Sequence, residues 1–538
     1  MTNLPRARRR RLLLRGAAVL AGLCAKGAWG RLGDEDASAA PGLARIHVHP
    51  REKIGDISPL VFGAGVEWID DGNGIFDATQ GAVRPEVVEA LKPLRIPVIR
   101  FPGGILADHY QWRDGVGPRE QRPRRRNPMD EKEHANNFGT DEFIELCRAL
   151  GSDALITANA GTGALQDALQ WQSYFTRRGF PLKFWEIGNE IYLAEPRRPA
   201  AIPGNDERIY KAPAQYADLF VQWSEALRAS NPAVSVGAIA GTYNTSGVNR
   251  DWLRVLLERA GTEVDFLALH NSFAPMIFAP YDLGDPDKRD KAYRAMFAAS
   301  RRTARDTRMV KARLQNVRGA ARIAITEHFP LFGAFSHEQL LAGLDQSRTL
   351  ASALFTASVF HALIRENVWM ANYNLITSRW FGALLTSTSE GWVRTPTYWL
   401  WDLYRNRFGA TQVQIDADGP AFDSAGVGTV EPQHRVPYLD AVASTDGRGS
   451  VFLAVINRNL TQPVLGTVDI DGVDANAPPQ VTVLGGPAAN AINGPALTRT
   501  TLPGPLDQVR LRDVERQISN APHSFQPHSV TVLRWNFR

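Results

Sequence analysis

Two glutamates stand where an apolar run gives out. One run, Phe184 to Glu190, reads FWEIGNE; the other, Ile323 to His328, reads IAITEH. In each, a carboxylate closes a stretch with the near-continuous apolar character of a strand buried on both faces. Glu190 and Glu327 lie 137 positions apart, a spacing of three strand-and-helix units, so in a closed barrel they face each other across the mouth. Two carboxylates flanking one bond are the apparatus of glycoside hydrolysis, one as proton donor and the other as nucleophile or base, and that chemistry needs no cofactor and no metal. Glu186 shares a strand face with Glu190 but lies deeper. It reads as scaffold, with an alternative as the acid itself. Glu327 also has a bland reading, as a structural acid paired with Arg322. His270 reads equally as the orienter of a carboxylate and as a hydrogen-bonded histidine at a strand end.

The elements that must hold these groups are legible as alternating short apolar runs and longer amphipathic stretches. Eight strands are predicted: Leu60 to Val66, Pro97 to Phe101, Ala154 to Ala158, Leu182 to Ile187, Val234 to Ile239, Phe266 to His270, Arg322 to Thr326 and Val368 to Leu375. Helical stripes lie between them at Arg84 to Leu94, Ala164 to Arg178, Pro213 to Ala229, Asp251 to Ala260 and Gln346 to Glu366. The fold class is α/β, read as a (β/α)8 TIM barrel over residues 41–409; an open doubly wound sheet would give similar spacing. From residue 410 to 538 alternating strands separated by Gly, Pro, Asn and Asp predict an all-β sandwich. Ala44 to His49 is strand-like and is a candidate for a further strand of that sandwich, and Gly485 to Thr501 reads as a long surface loop.

At 538 residues, 44% hydrophobic and 22% charged, the chain has an ordinary globular composition. The formal net charge is +5, but residues 1 to 30 carry seven basic side chains and no acid, so the remainder sits near −2. That removes the electrostatic case for a nucleic-acid partner. Residues 1–40 are read as an export segment and linker: Arg10-Arg11 precede about ten apolar residues, too few to span a bilayer, in the manner of a twin-arginine signal. Export to the periplasm or exterior is the expectation, with no membrane span elsewhere. Only Cys24 and Cys147 are present, and Cys147 falls on an apolar helical stripe, as a small core residue does. The histidines show no metal-ligand spacing. There is no Gly-x-Ser-x-Gly elbow and no phosphate-binding Gly-rich loop. Arg124-Arg125-Arg126 reads as a solvated loop or as a contact to an acidic polysaccharide. Trp112, Trp369 and Trp380 read as core or as sugar-stacking rings, and His328 as a wall of the pocket.

The runs Ile99 to Gly104, Asp114 to Pro118 with Arg122-Pro123, Asn159 to Gly163 and Gly188-Asn189-Glu190 together resemble glycoside hydrolase family 51, typified by α-L-arabinofuranosidases. The tail, Val436 to Ala441, Asn457 to Asn459 and Pro527 to Leu533, resembles that family's C-terminal sandwich. The resemblance implies Glu190 as acid/base and Glu327 as nucleophile of a retaining enzyme, with substrate contacts from Glu67, Arg100, Asn159, Asn189, His270 and Asn372. It implies no cofactor, a carbohydrate substrate and a possible homo-oligomer. The chain departs from the family pattern at Ile105 after the Pro-Gly-Gly run, at Phe273 where a tyrosine is usual, and at Asn372 where a glutamine is usual. These departures keep two other expectations open. One is a related specificity, for β-glucan, xyloglucan or β-xyloside; the other is a catalytically decayed carbohydrate-binding protein.

Overall fold

The computed structural model describes residues 42–196, 204–242, 247–277, 280–315, 317, 321–333, 337–379, 381–389, 391–474, 477–497, 507–514 and 522–536. The export segment read from the sequence and Trp380 lie outside the described residues.

Eight parallel strands close into a barrel: Gly63–Gly65, Val98–Phe101, Asp153–Ala158, Phe184–Ile187, Ser235–Ile239, Phe266–Ala268, Arg322–Leu331 and Met370–Tyr373. Closure comes from pairing of the sixth strand with the seventh and of the eighth with the first. Each coincides with one of the predicted apolar runs. The first differs in form, because Pro59–Phe62 makes a 3-10 turn capped by the Ser58 hydroxyl before three residues of strand begin. An extra strand, Ser272–Pro275, pairs with the far end of the long seventh strand.

The floor of the barrel is aromatic. Trp369 packs edge-on to Phe184 at 5.4 Å and against Phe266 at 5.3 Å, and the Arg322 guanidinium lies over its face at 3.6 Å. Trp369 is thus a floor plug and no sugar platform. Arg322 opens its strand at the floor and Glu327 comes midway along it, so the bland pairing of these two residues does not occur. Trp112 is also core, stacked on Trp171 at 6.2 Å and 6°.

The predicted helices form, with ends moved by a few residues, as Pro85–Leu91, Leu165–Arg177, Pro213–Ser230, Trp252–Ala260 and Leu350–Arg365. Two more, Pro286–Ala298 and Ser300–Leu314, fill the connection between the sixth and seventh strands. Their charged composition and partly polar buried stripe (Thr303, Asp306, Thr307) hide the apolar period that identifies the others. Cys147 is a free, buried thiol on Thr140–Leu150, as its helical spacing suggested.

The second domain is built on one continuous nine-stranded sheet that wraps its own apolar core, including Ile46, Val48, Leu453, Val455, Leu533 and Trp535. Ala44–Asp56 belongs to it, antiparallel to Thr411–Asp418 and parallel to Val464–Ile470. Leu439–Thr445 and Ser450–Asn457 are buried along their whole length. One face lines the domain's own core. The other meets the helix Leu350–Arg365, in which every residue from Leu350 to Ile364 is buried. The segment read as a surface loop from Gly485 is instead docked on that helix: the carbonyls of Ala491 and Ala489 accept from the Leu350 and Ala351 N–H groups, and Asn493 is buried. Small residues serve there because they let backbone reach the orphan donors of a helix start.

Candidate active site

The C-terminal ends of the barrel strands carry one connected polar cluster. Arg100, on the second strand and buried, is its hub. Its Nε donates to Glu186 Oε2 at 2.8 Å, Nη1 to Glu327 Oε2 at 3.1 Å and Nη2 to Asn189 Oδ1 at 2.6 Å. Glu186 is fully buried below the mouth and also accepts from Thr157 Oγ1 at 2.7 Å and Thr326 Oγ1 at 2.5 Å. Burial alone would raise its carboxyl; the Arg100 charge and the surrounding donors outweigh it and hold the group down at about 2. Glu186 is therefore the anionic seat of Arg100, which is the scaffold reading.

His270 joins the two candidate acids. Its Nδ1 lies 3.0 Å from Glu190 Oε1 and 3.9 Å from Glu327 Oε2, and its Nε2 lies 3.0 Å from Thr326 Oγ1. The Thr326 hydroxyl has one proton, and it goes to Glu186, so its oxygen receives from His270. Nε2 is then a donor, and Nδ1, lying against the Glu190 carboxyl, can share a proton with it and so place a positive charge on the ring. Burial works against that charge, but the flanking Glu186 and Glu190 carboxylates raise the ring to about 9. Burial pushes the Glu327 carboxyl above its ordinary value, opposed by the His270 and Arg100 cations.

Backbone geometry leaves room for this cluster. A Cβ on Gly104 would sit 2.8 Å from Glu327 Oε2, so the Pro-Gly-Gly run brings main chain directly against the candidate nucleophile. Glu67 follows the first strand. Its N–H and Oε2 both bond the Asn73 amide, at 2.7 and 3.0 Å, and burial, with a smaller contribution from Glu327, pushes its carboxyl up to about 7.

Six of the eight predicted site residues converge: Glu190, Glu327, Arg100, Asn189 and His270 by direct bonds or close approach, and Glu67 at the rim. Two do not join the cluster. Asn159 ends the third strand, but its amide closes the following turn, donating to the Tyr110 carbonyl at 3.1 Å and accepting from Thr162 and Gly163 N–H at 2.8 and 3.0 Å. Asn372 is buried in the barrel wall beside Gly63, donating to the Ala64 carbonyl at 3.4 Å. Two residues on, Asn374 donates to Glu327 Oε1 at 3.1 Å and takes the place in the cluster expected of Asn372. Strand alternation puts both asparagines on one face, and only the position nearer the mouth reaches the acid. His328 turns out of the barrel onto Phe360 and Tyr373. Burial drives its ring down to about 3, so it is no pocket wall.

Sequence reasoning missed Asp108 as well. It lies in the 3-10 segment Ile105–His109, with Oδ2 accepting the Asn189 N–H at 2.9 Å and Oδ1 the Gly161 N–H at 3.0 Å. Burial pushes it up to about 7 against those two bonds. Phe273 packs on Phe329 at 5.2 Å, so the missing phenol is replaced by apolar contact. Of the Arg124 to Arg126 run, Arg125 forks onto Asp114 at 2.5 and 3.0 Å and Arg124 donates to the Glu133 carbonyl, which makes the run a hairpin brace.

One unmet donor marks where a ligand belongs. Arg100 claims the Asn189 carbonyl oxygen, which orients the amide and leaves Nδ2 buried with no protein acceptor. An occupied pocket with hydroxyl groups would supply one.

Residues 90–177 match the family model of the α-L-arabinofuranosidase 1 domain, and residues 332–524 match that of the α-L-arabinofuranosidase C-terminal domain. The chain is 26% identical over 549 residues to α-L-arabinofuranosidase C of Emericella nidulans, covering 92% of this chain and 97% of that one. Among solved structures it resembles the arabinose complex of the Thermotoga maritima α-L-arabinofuranosidase, with a TM-score of 0.73 at 24% identity, covering 92% of this chain and 100% of that one. It also resembles a family 51 α-L-arabinofuranosidase from Bifidobacterium longum, with a TM-score of 0.75 at 18% identity, covering 93% and 100%. At such identity the structural likeness speaks to the fold: a closed barrel with a separate sheet domain.

Proposed function

Because the chain is an arabinofuranosidase-like glycoside hydrolase, a divergent member of family 51, we propose that it releases terminal α-L-arabinofuranose from hemicellulose or pectin side chains by double displacement. Glu327 attacks the anomeric carbon while Glu190 protonates the leaving oxygen; Glu190 then takes a proton from water, which displaces Glu327 and frees the sugar. Arg100 holds Glu327 in position and stabilises its charge as the glycosyl bond breaks. The buried amide of Asn189 donates to the sugar's 2-hydroxyl, a bond that strengthens as the oxocarbenium ion develops.

The observation that carries this reading is the shared contact on His270. Oxygens of both acids lie against the same Nδ1, at 3.0 and 3.9 Å, so the two cannot be farther apart than those distances together. That limit admits the ~5–5.5 Å of a retaining pair and excludes most of the ~6.5–9.5 Å of an inverting one. Nuclear magnetic resonance of the first-formed product on an aryl α-L-arabinofuranoside tests it: the α anomer is expected, and first appearance of the β anomer would overturn the mechanism. Glu190→Ala should be rescued on activated aryl substrates by azide, whereas Glu327→Ala should trap no glycosyl-enzyme. Assay against xyloside, glucoside and polymeric glucans alongside separates arabinofuranose specificity from the related ones.

The same reading has residues 1–40 carry the chain out of the cytoplasm. Fractionation of cells making the full chain and one lacking that segment checks it; equal retention of both inside the cell would refute it.

A further inference from the structure

The solvent face of the second domain gathers another group of chemistry-bearing side chains, unrelated to the hydrolytic site. Along Ala44–Asp56, Ala44, Ile46 and Val48 point into the domain core. Strand alternation therefore sets His47 and His49 side by side on the outer face, with ring centroids 4.2 Å apart. The parallel neighbour places Asp469 beside His47, and the antiparallel neighbour places Asp416 there from the other side. Asp471 comes just past the parallel strand and is pinned by its N–H to the Val48 carbonyl at 3.1 Å.

These side chains converge. His47 Nε2 is 2.8 Å from Asp471 Oδ1 and 3.8 Å from Asp469 Oδ2, and His49 Nδ1 is 2.7 Å from Asp471 Oδ2. The ligand atoms of His47, His49 and Asp471 all lie within 4.8 Å of one another. His49 Nε2, turned away from the convergence, contacts Asp416 Oδ2 at 3.0 Å. That is the outer contact a metal-binding histidine makes, in which a carboxylate fixes the ring so that the other nitrogen faces the ion.

We propose that His47 Nε2, His49 Nδ1 and the Asp471 carboxylate form a binding site for one divalent transition-metal ion, with Asp416 orienting His49. Two imidazoles and a carboxylate suit zinc and its neighbours and not calcium or magnesium, which take oxygen ligands. Asp469 stands close enough to supply a fourth ligand and complete the four-coordinate geometry zinc prefers. Ligands at ~2.0–2.1 Å from a tetrahedral centre lie ~3.3 Å apart, so the two contacts to Asp471, at 2.8 and 2.7 Å, open by about half an ångström and Asp469, at 3.8 Å, moves in by a similar amount. Pattern reading of the histidines missed the group because Asp471 lies 422 positions from His49. The ion would tie Ala44–Asp56 to the end of Val464–Ile470, and so raise the stability of the sheet where those strands meet.

The full chain without a histidine tag, stripped by chelator, is titrated with zinc chloride in a calorimeter and with cobalt(II) in a visible spectrometer. One saturating equivalent is expected, with cobalt ligand-field bands that zinc abolishes and a thermal midpoint that rises with zinc. His47→Gln and His49→Gln should each weaken binding at least tenfold and abolish the thermal rise, while metal-free folding and glycoside hydrolysis stay as in the parent. Failure to saturate at one equivalent, or unaltered binding in both variants, overturns the site.

Discussion

Arg100 divides its guanidinium among three acceptors, the scaffold acid Glu186, the proposed nucleophile Glu327 and the amide of Asn189. Lysine offers one compact charge and no fork, so Arg100→Lys should lower kcat by ~10²-fold through misplacement of Glu327 and Asn189. Arg100→Met should cost ~3–5 kcal/mol, read from the urea midpoint, because it strands the buried Glu186 charge. His270 supplies a pH signature. Its unfolded ring releases the proton near 6.5 and its folded ring near 9. The ion pairs it makes are thus complete below about 6.5 and lost as pH rises through 9. The wild type should lose stability between pH 7 and 9.5 relative to His270→Gln, and a parallel decline of the two urea midpoints would refute the assignment. The meeting of Glu190 and Glu327 at one end of the barrel was legible because an acid closing an apolar run has few explanations. Asn374, Thr157 and Thr326 were not, since each acts only through a partner on another strand, and sequence records no distance across a barrel.

At the scale of elements, the segment Ile105–His109 sets the loop that bears Glu190. Asp108 receives N–H groups from two different strand ends, and asparagine in its place can accept only one of them. Asp108→Asn should therefore reduce kcat by ~10–10² while leaving the thermal midpoint within a few degrees. On the opposite end of the barrel, a Cβ on Gly237 would fall 2.0 Å from the Phe266 ring. Gly237→Ala should destabilise by ~1–3 kcal/mol, through overpacking of the floor, with chemistry at the mouth unchanged per folded molecule. The barrel strands were readable as apolar runs because burial on both faces leaves a plain record in composition. The helices Pro286–Ala298 and Ser300–Leu314 left no such record, and the docked stretch after Gly485 looked like loop because Gly, Pro and Ala were selected there for close backbone approach.

At the scale of the molecule, the two domains share a boundary that neither could expose. Leu350–Arg365 is buried on every face from Leu350 to Ile364, and its few polar side chains, Ser352, Thr356, Ser358 and His361, are enclosed with the rest. Beside it the buried Arg458 donates to Asp440 at 2.5 Å and to Ser300 and Ser358 at 3.3 Å, while Arg365 holds the other oxygen of Asp440. A chain ending at residue 409 should consequently aggregate instead of yielding a working barrel, and the full chain should melt in a single calorimetric transition. The change in texture near residue 410 falls where the strand Thr411–Asp418 begins; the mutual burial of barrel and sheet left no such sign, because periodicity says which face is apolar and not what covers it.

The place of Ala44–Asp56 also sets a timetable for synthesis. Asp56 pairs with Thr411, 355 positions later, and the parallel partner Val464–Ile470 is later still. At ~5–20 residues per second, the ribosome takes ~20–70 s to supply even the first of these partners. Throughout that interval a strand with both edges unpaired precedes a barrel that has begun to assemble. Its run of exposed charge, Arg51 to Lys53, is the kind of edge that discourages pairing with the wrong neighbour while it waits.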